Sequence, residues 1–109
     1  MDNCIFCQVI NKTLPAKIVS ETDNLLAFPD INPETEIHIL IVPKKHISKI
    51  LDLTSDHAQL LFEIFTLANK LVKEYNLEND LYRIRVNGGK AQHVPHLHFH
   101  LLGGNYKKP

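Results

Sequence analysis

The sequence predicts an α+β fold in which a five-stranded antiparallel sheet carries one long helix and a short N-terminal helix. Two observations lead to this class. Short apolar stretches separated by turn residues stand on both sides of a single long stretch of helical periodicity, and that order favours an antiparallel sheet over parallel βαβ units. The chain of 109 residues suffices for one domain and not two, so we expect a single domain over residues 1–109.

The elements before the long helix are short. Residues 4–11 predict a helix. Residues 16–21 and 24–29 predict two strands of a hairpin, because residues 22–24, Thr-Asp-Asn, supply turn chemistry. Residues 38–42 are β-branched or apolar after the first position and predict a buried strand.

The long helix has the clearest signal. Thr54 and Ser55 are candidate N-caps, and the helix is predicted to end near Tyr75, with Asn76 as its C-terminal cap. Its apolar residues recur at helical spacing and predict a wide apolar stripe that packs on the sheet: Leu60, Leu61, Ile64, Phe65, Ala68, Leu71 and Val72. We expect His57, in the first turn, to be solvated.

Two further strands follow the helix. In residues 81–86, Tyr82, Ile84 and Val86 alternate with Leu81, Arg83 and Arg85, which predicts a strand. Residues 87–89 turn the chain. Residues 97–102 are predicted to form the last strand, which Gly103 and Gly104 end. So few helices on a sheet of this size leave apolar surface uncovered, which favours a dimer.

Composition narrows the function classes. Lys plus Arg and Asp plus Glu number 12 each, so the formal net charge is zero, and a nucleic-acid partner is not expected. The N-terminus does not resemble a signal peptide and no apolar run has transmembrane length, so we expect a cytoplasmic protein without a membrane partner. In that compartment Cys4 and Cys7 are expected to be thiols or metal ligands.

Histidine is concentrated in one segment. Four of the seven histidines fall between His93 and His100, and in residues 96–101 histidine alternates with leucine or phenylalanine. Successive strand residues point to opposite faces, so His96, His98 and His100 would share one face at roughly 7 Å intervals while the apolar residues face the core.

Such an array suits two kinds of chemistry. A neutral imidazole can attack phosphorus, and backbone N–H groups near Gly88, Gly89, Gln92 and His93 can bind phosphate oxygens. Alternatively, histidines at alternate strand positions can ligate one zinc ion. His38 is expected to be a hydrogen-bonded structural residue.

These residues resemble the signature of the histidine triad family, in which three histidines alternate with hydrophobic residues. The match with the Hint branch extends over most of the chain, in five segments: Cys4–Cys7, Leu14–Lys17, Ala27–Pro33, His38–His46 and His96–Gly104.

The resemblance implies an activity and an assembly. It implies a homodimer whose two sheets join into one of ten strands. It implies hydrolysis of a purine nucleoside monophosphate from an amine or similar leaving group. His98 would form a covalent nucleotidyl intermediate, His100 would contact the phosphate, and His96 would orient His98 through its backbone carbonyl.

The resemblance also implies a binding site and a metal site. The nucleotide would be held by Val9, Phe28, Asp30, Ile31, Asn87, Gln92, His93, His98 and His100, with Asp30 taking the ribose hydroxyls. Cys4, Cys7, His46 and His96 would hold a closed, structural zinc ion. The chemistry itself would require no cofactor.

Two features depart from the family pattern. His93 stands where a serine or threonine commonly assists the leaving group, so we expect an imidazole to donate that proton and leaving-group preference to differ. The chain contains no Trp and ends at Pro109, whereas Hint proteins often carry a longer, Trp-containing C-terminus. We expect substrate selection there to differ as well.

Alternative functions remain open from the sequence. One is hydrolysis of dinucleoside polyphosphates. Another is nucleotide binding for interaction, with incidental catalysis. A third is a zinc hydrolase that uses the three alternating histidines as ligands.

Overall fold

Antiparallel pairing assembles the sheet, and the predicted α+β architecture is confirmed. The computed structural model describes residues 4–107. In this range the five strands lie in the order β1-β2-β3-β5-β4, and each neighbouring pair is antiparallel. The helices and strands are α1 (Ile5–Ile10), β1 (Ser20–Glu21), β2 (Leu25–Pro29), β3 (Thr35–Pro43), α2 (Ala58–Glu74), β4 (Tyr82–Val86) and β5 (Phe99–Tyr106). Short 3-10 turns span Ile50–Asp52, Ser55–His57 and Gly89–Ala91.

The two sheet faces bury different sets of side chains. The face under α2 forms the larger core, in which Leu97, Phe99 and Leu101 pack among residues of α2 and β3. The opposite face packs against α1 and forms a second cluster: Cys4, Phe6, Cys7, Val9, Leu26, Phe28, Leu40 and Val42. The predicted apolar set of the histidine segment therefore does face the core, which leaves its imidazoles on the α1 side.

A capping box starts the 3-10 turn Ser55–His57, which leads directly into the long helix. The Thr54 side chain accepts from the Asp56 N–H (3.3 Å), while His57 Nδ1 accepts from the Thr54 N–H (2.9 Å). His57 is thus a capping residue and not merely solvated, because its ring nitrogen satisfies a donor at the helix N-terminus. Asn76 closes the other end at φ 57°, a left-handed conformation that asparagine tolerates. None of the helices in residues 4–107 has both the length and the hydropathy of a transmembrane segment.

Strand lengths differ from prediction at the sheet edges. The first strand is only Ser20–Glu21, because the chain around residues 15–17 lines a cavity and does not pair. β3 is longer than predicted, since its N-terminal end pairs with the end of β5, where Thr35 lies opposite Tyr106.

The last strand is displaced relative to the prediction. It begins at Phe99 because the Leu97 N–H donates to Ile47 O (2.6 Å) outside the sheet ladder. Gly103 and Gly104 lie inside β5 and do not close it. The register of β5 against β3 shifts at this point. Gly104 has φ +78°, a backbone conformation that residues with a side chain rarely adopt, so glycine accommodates this register shift.

Candidate active site

A cavity of about 940 Å³ opens on the α1 side of the sheet. Its volume is in the range that holds a nucleotide-sized ligand. Most of the predicted nucleotide-binding residues line it: Val9, Phe28, Asp30, Ile31, Asn87, His93, His98 and His100.

His98 presents one free ring nitrogen. Its Nδ1 lies 2.7 Å from His96 O, and since a carbonyl only accepts, Nδ1 carries the proton. The lone pair is therefore on Nε2. The ring is buried and packs edge-to-face on Phe6 at a centroid distance of 5.0 Å. Burial lowers the pKa of His98, so the imidazole is held neutral and in the tautomer that a nucleophile needs.

His100 ends a hydrogen-bonded chain that begins at the backbone. The Glu34 N–H donates to His38 Nδ1 (3.0 Å), so the neutral His38 ring carries its proton on Nε2. That atom donates to His100 Nδ1 (2.8 Å), which leaves the His100 proton on Nε2. This N–H is buried and has no partner among the described residues. His100 is thus a preset hydrogen-bond donor beside the cavity.

Burial, together with the neighbouring His98, Arg85 and His38, lowers the pKa of His100 to about 4, whereas Asp30 acts in the opposite direction. An unfolded histidine titrates near 6.5, so the unfolded chain takes up this proton first. We expect the contribution of neutral His100 to the free energy of unfolding to be complete above pH 6.5 and to be lost as the pH falls toward 4. The loss amounts to about 2 kcal/mol at pH 5.

Urea unfolding at pH 7 and pH 5 measures this effect in the wild type and in His100→Asn. The other buried histidines give the wild type a decline of the same sign, so the informative quantity is the difference between the two proteins. The pH dependence should be smaller in the variant. Equal pH dependence in both proteins would show that His100 does not titrate as described.

Asp30 and its neighbours form the rim of the cavity. Asp30 Oδ1 accepts from the Asn32 N–H (2.8 Å), and Oδ2 lies 3.5 Å from His38 Nε2. The carboxylate is half-buried and lines the cavity, while Ile31 beside it is largely exposed. Val9 and Phe28 both pack in the core cluster on the α1 side and line the cavity. Each is therefore both a core residue and part of the cavity wall.

Gln92 is the one residue of the predicted binding set that does not line the cavity. Its side-chain amide donates to Ser48 O (2.6 Å) and Val94 O (3.0 Å). Two backbone carbonyls hold the amide away from the ligand space, so Gln92 braces the loop before the histidine segment.

Several cavity residues were not predicted from the sequence. Phe6 was absent from the predicted set, and it lines the cavity. His38 does not line the cavity; it bonds to His100, in keeping with the hydrogen-bonded structural role expected of it. Arg85 and Glu34 also line the cavity and form an ion pair. The alternation in residues 82–86 does place Arg85 on the face opposite the core, but that pattern also fits an ordinary solvent-facing arginine.

A second cluster lies beside the histidine segment. Cys4, Cys7, His46 and His96 bring one potential ligand atom each to within 4.8 Å of one another. His96 Nδ1 lies 3.2 Å from Cys4 Sγ and 3.5 Å from Cys7 Sγ.

The free nitrogens in this cluster suit a metal ion. His96 Nε2 donates to Pro43 O (2.7 Å) and His46 Nε2 donates to Pro95 O (2.9 Å), so both Nδ1 lone pairs are available. Such hydrogen bonds to backbone carbonyls accompany metal-ligating histidines generally. Burial and the neighbouring Cys4 raise the pKa of Cys7 to about 11, so a thiolate here needs a cation beside it. The residues therefore fit a tetrahedral zinc ion.

The three alternating histidines do not converge on one point. His96 belongs to the cysteine cluster, and His100 lies with Asp30 and His38 in a separate group. His98 is in neither group. This arrangement disfavours a zinc hydrolase that uses all three histidines as ligands.

Comparison with known proteins places the chain in a family. The family model described as scavenger mRNA decapping enzyme C-terminal binding matches residues 3–109. Purine nucleoside phosphoramidase of Escherichia coli K12 is 36% identical over 105 residues, which cover 94% of this chain and 88% of that protein. A protein called HitA from Neisseria gonorrhoeae is also 36% identical, over 94% of this chain and 97% of its own length.

Solved structures agree with the sequence matches. A HIT family hydrolase from Legionella pneumophila superposes with a TM-score of 0.92 at 43% identity, covering 94% of both chains. A histidine triad protein from Clostridium difficile gives 0.90 at 40% identity, covering 100% of this chain and 95% of that one.

The fold and these relatives define a hydrolase. The chain belongs to the histidine triad family and is related to purine nucleoside phosphoramidase. The family resemblance found in the sequence is confirmed.

Proposed function

We propose that this protein hydrolyses nucleoside 5′-phosphoramidates or related nucleotidyl conjugates, releasing the nucleoside monophosphate and the leaving group. The observation that carries the proposal is the neutral His98 ring, whose Nδ1–H is fixed by His96 O and whose Nε2 lone pair is free. The relationship to purine nucleoside phosphoramidase supports a purine nucleotide as the ligand.

The reaction proceeds in two displacements at phosphorus. His98 Nε2 attacks, a phosphorus–nitrogen bond to the enzyme forms, and the bond to the leaving group breaks. The departing amine takes a proton, for which His93 at the cavity wall is the proposed donor. Water then attacks phosphorus and breaks the bond to His98, whose ring leaves neutral with its lone pair again on Nε2. One proton of the water returns to His93, the other passes to solvent, and the monophosphate is released.

The remaining residues bind and orient the nucleotide. His100 Nε2–H is the donor for a phosphate oxygen, whose negative charge grows in the transition state. Asp30 accepts from the ribose hydroxyls, Val9, Phe28 and Ile31 frame the base, and Asn87 reaches the phosphate. The cavity-lining positions of these residues support these assignments.

A zinc ion is proposed for the cysteine cluster. Cys4, Cys7, His46 and His96 would hold it, and four protein ligands leave no open position for substrate. Bound there, it would supply structure and no chemistry at phosphorus. His96 connects the two sites, because its ring faces the cysteines and its carbonyl holds His98.

We further propose that residues 1–109 form a single domain and that two copies of the chain pair along β4 into a ten-stranded sheet. β4 is an edge strand of the described sheet, with an unpaired side. Large apolar side chains are exposed on it, directly before it and on α2: Tyr82, Leu81, Phe62 and Phe65. Such a surface favours burial against a second copy.

Incubation of the purified protein with adenosine 5′-phosphoramidate tests the function. Release of AMP, followed by chromatography, is the expected result. If no AMP appears while a dinucleoside polyphosphate is cleaved, the phosphoramidase assignment is wrong. If the protein binds AMP and cleaves neither compound, it is a nucleotide-binding protein without this activity.

A further inference from the structure

Two buried nitrogen atoms are left without hydrogen-bond partners in residues 4–107. They are Arg85 Nε and His100 Nε2, and they are the only such side-chain nitrogen or oxygen atoms in that part of the chain. A buried donor without a partner is costly, so each such atom in a folded protein calls for an explanation. The proposed nucleotide phosphate explains His100 Nε2 and leaves Arg85 Nε unexplained.

The two residues are neighbours in the sheet. Arg85 on β4 lies directly opposite His100 on β5, so their side chains leave the sheet on the same face. Both line the same cavity. An acceptor between the two side chains would therefore satisfy both unpartnered donors.

Glu34 fixes the rest of the guanidinium. Arg85 Nη1 donates to Glu34 Oε1 (3.1 Å) and Nη2 donates to Oε2 (2.6 Å). This two-bond pairing immobilises the planar group, so less freedom is lost when Nε–H meets a ligand. The positive charge also acts on His100: burial is the main cause that lowers the pKa of that ring, and Arg85 contributes to the lowering.

We propose that Arg85, held by Glu34, is a phosphate-binding residue whose Nε–H donates, together with His100 Nε2–H, to the anionic oxygens of the nucleotide. This inference rests on the proposed function, since it deepens the description of the same site. The ligand class is a phosphate ester, whose non-bridging oxygens are acceptors only. An ion pair that merely tied the β2–β3 loop to β4 would need Nη1 and Nη2 but would leave the buried Nε–H without an acceptor.

The chain contains a matched control for Arg85. Arg83 lies two residues earlier on the same strand and hence on the same face, but its guanidinium carbon is 5.3 Å from the Tyr106 ring centroid and it does not line the cavity. Arg85→Met and Arg83→Met therefore remove the same charge from the same strand, once at the cavity and once outside it.

Calorimetric titration with AMP and with adenosine, which lacks the phosphate, tests the proposal in both variants. A charge-assisted hydrogen bond is worth enough to change binding by about 10- to 100-fold. We expect Arg85→Met to lose AMP affinity by that factor and to keep adenosine affinity within about twofold, while Arg83→Met binds both like the wild type. Arg85→Lys should recover part of the AMP affinity, because it keeps the charge, and it also serves if Arg85→Met does not fold.

Two results would overturn the proposal. One is unchanged AMP affinity in Arg85→Met or, where that variant does not fold, in Arg85→Lys. The other is an equal loss of AMP and adenosine affinity, which indicates a purely structural ion pair. Binding of AMP requires no turnover, so failure of this proposal is distinguishable from failure of the proposed hydrolysis.

Discussion

His98→Ala is expected to abolish turnover of adenosine 5′-phosphoramidate, with a loss of kcat on the order of 10⁴-fold or more. The reason is that Nε2 of this ring is the proposed attacking atom, its lone pair left free by the hydrogen bond from Nδ1 to His96 O. His100 does not have the same arrangement, because it directs an N–H and not a lone pair away from His38. Initial rates of AMP release measure the effect.

The intermediate gives an independent measurement. Wild-type protein mixed briefly with substrate should carry one added nucleotidyl group in intact-mass spectra, and His98→Ala should carry none. The quench is an alkaline denaturant, because a phosphorus–nitrogen bond to histidine hydrolyses in acid. Because His98 is buried, truncation leaves a cavity that lowers stability, so His98→Gln is measured alongside it to retain side-chain volume. Substantial turnover in either folded variant would remove His98 from the mechanism.

His57 provides the matched histidine control. It lies in the capping box at the start of α2 and does not line the cavity. His57→Ala should lose about 1 kcal/mol of stability through the lost cap and retain the wild-type rate. If it lost activity as His98→Ala does, the assay would be reporting folding and not chemistry.

The fold was predictable where local patterns set it. The helical stripe around Ile64 and Leu71 fixed α2, and the alternation of histidine with Leu97, Phe99 and Leu101 fixed which side of that segment enters the core. These patterns depend on periodicity, which the sequence displays directly. Boundaries were less predictable: β5 starts late because Leu97 bonds to Ile47, a partner distant in sequence.

The site was only partly predictable, for a related reason. That His38 meets His100 depends on β3 lying beside β5, with Leu40 opposite His100, and the order of strands in a sheet is not written in any one segment. Gln92 was placed at the phosphate by resemblance, but its amide is held by Ser48 and Val94. The roles of the residues that do line the cavity remain predictions.

Loss of the metal site is expected to have the largest effect on stability. We expect the protein to bind one zinc ion per chain and His46→Ala or Cys4→Ser to bind much less, as elemental analysis after dialysis would measure. Structural zinc sites contribute many kcal/mol, so the melting temperature should fall by about 15 °C or more. His57→Ala, which removes a histidine away from the cluster, should retain the ion.

The argument for so large an effect lies in what the ion would join. Cys4 and Cys7 stand at the start of α1, His46 follows β3, and His96 precedes β5, so one ion would connect three segments far apart in sequence. Without it, two buried thiols and two imidazoles must face one another with no cation between them. His98 is not among the four ligands, so a chelator should reduce activity only in step with the unfolded fraction. Immediate loss of activity at an unchanged melting temperature would instead indicate a metal that takes part in the reaction.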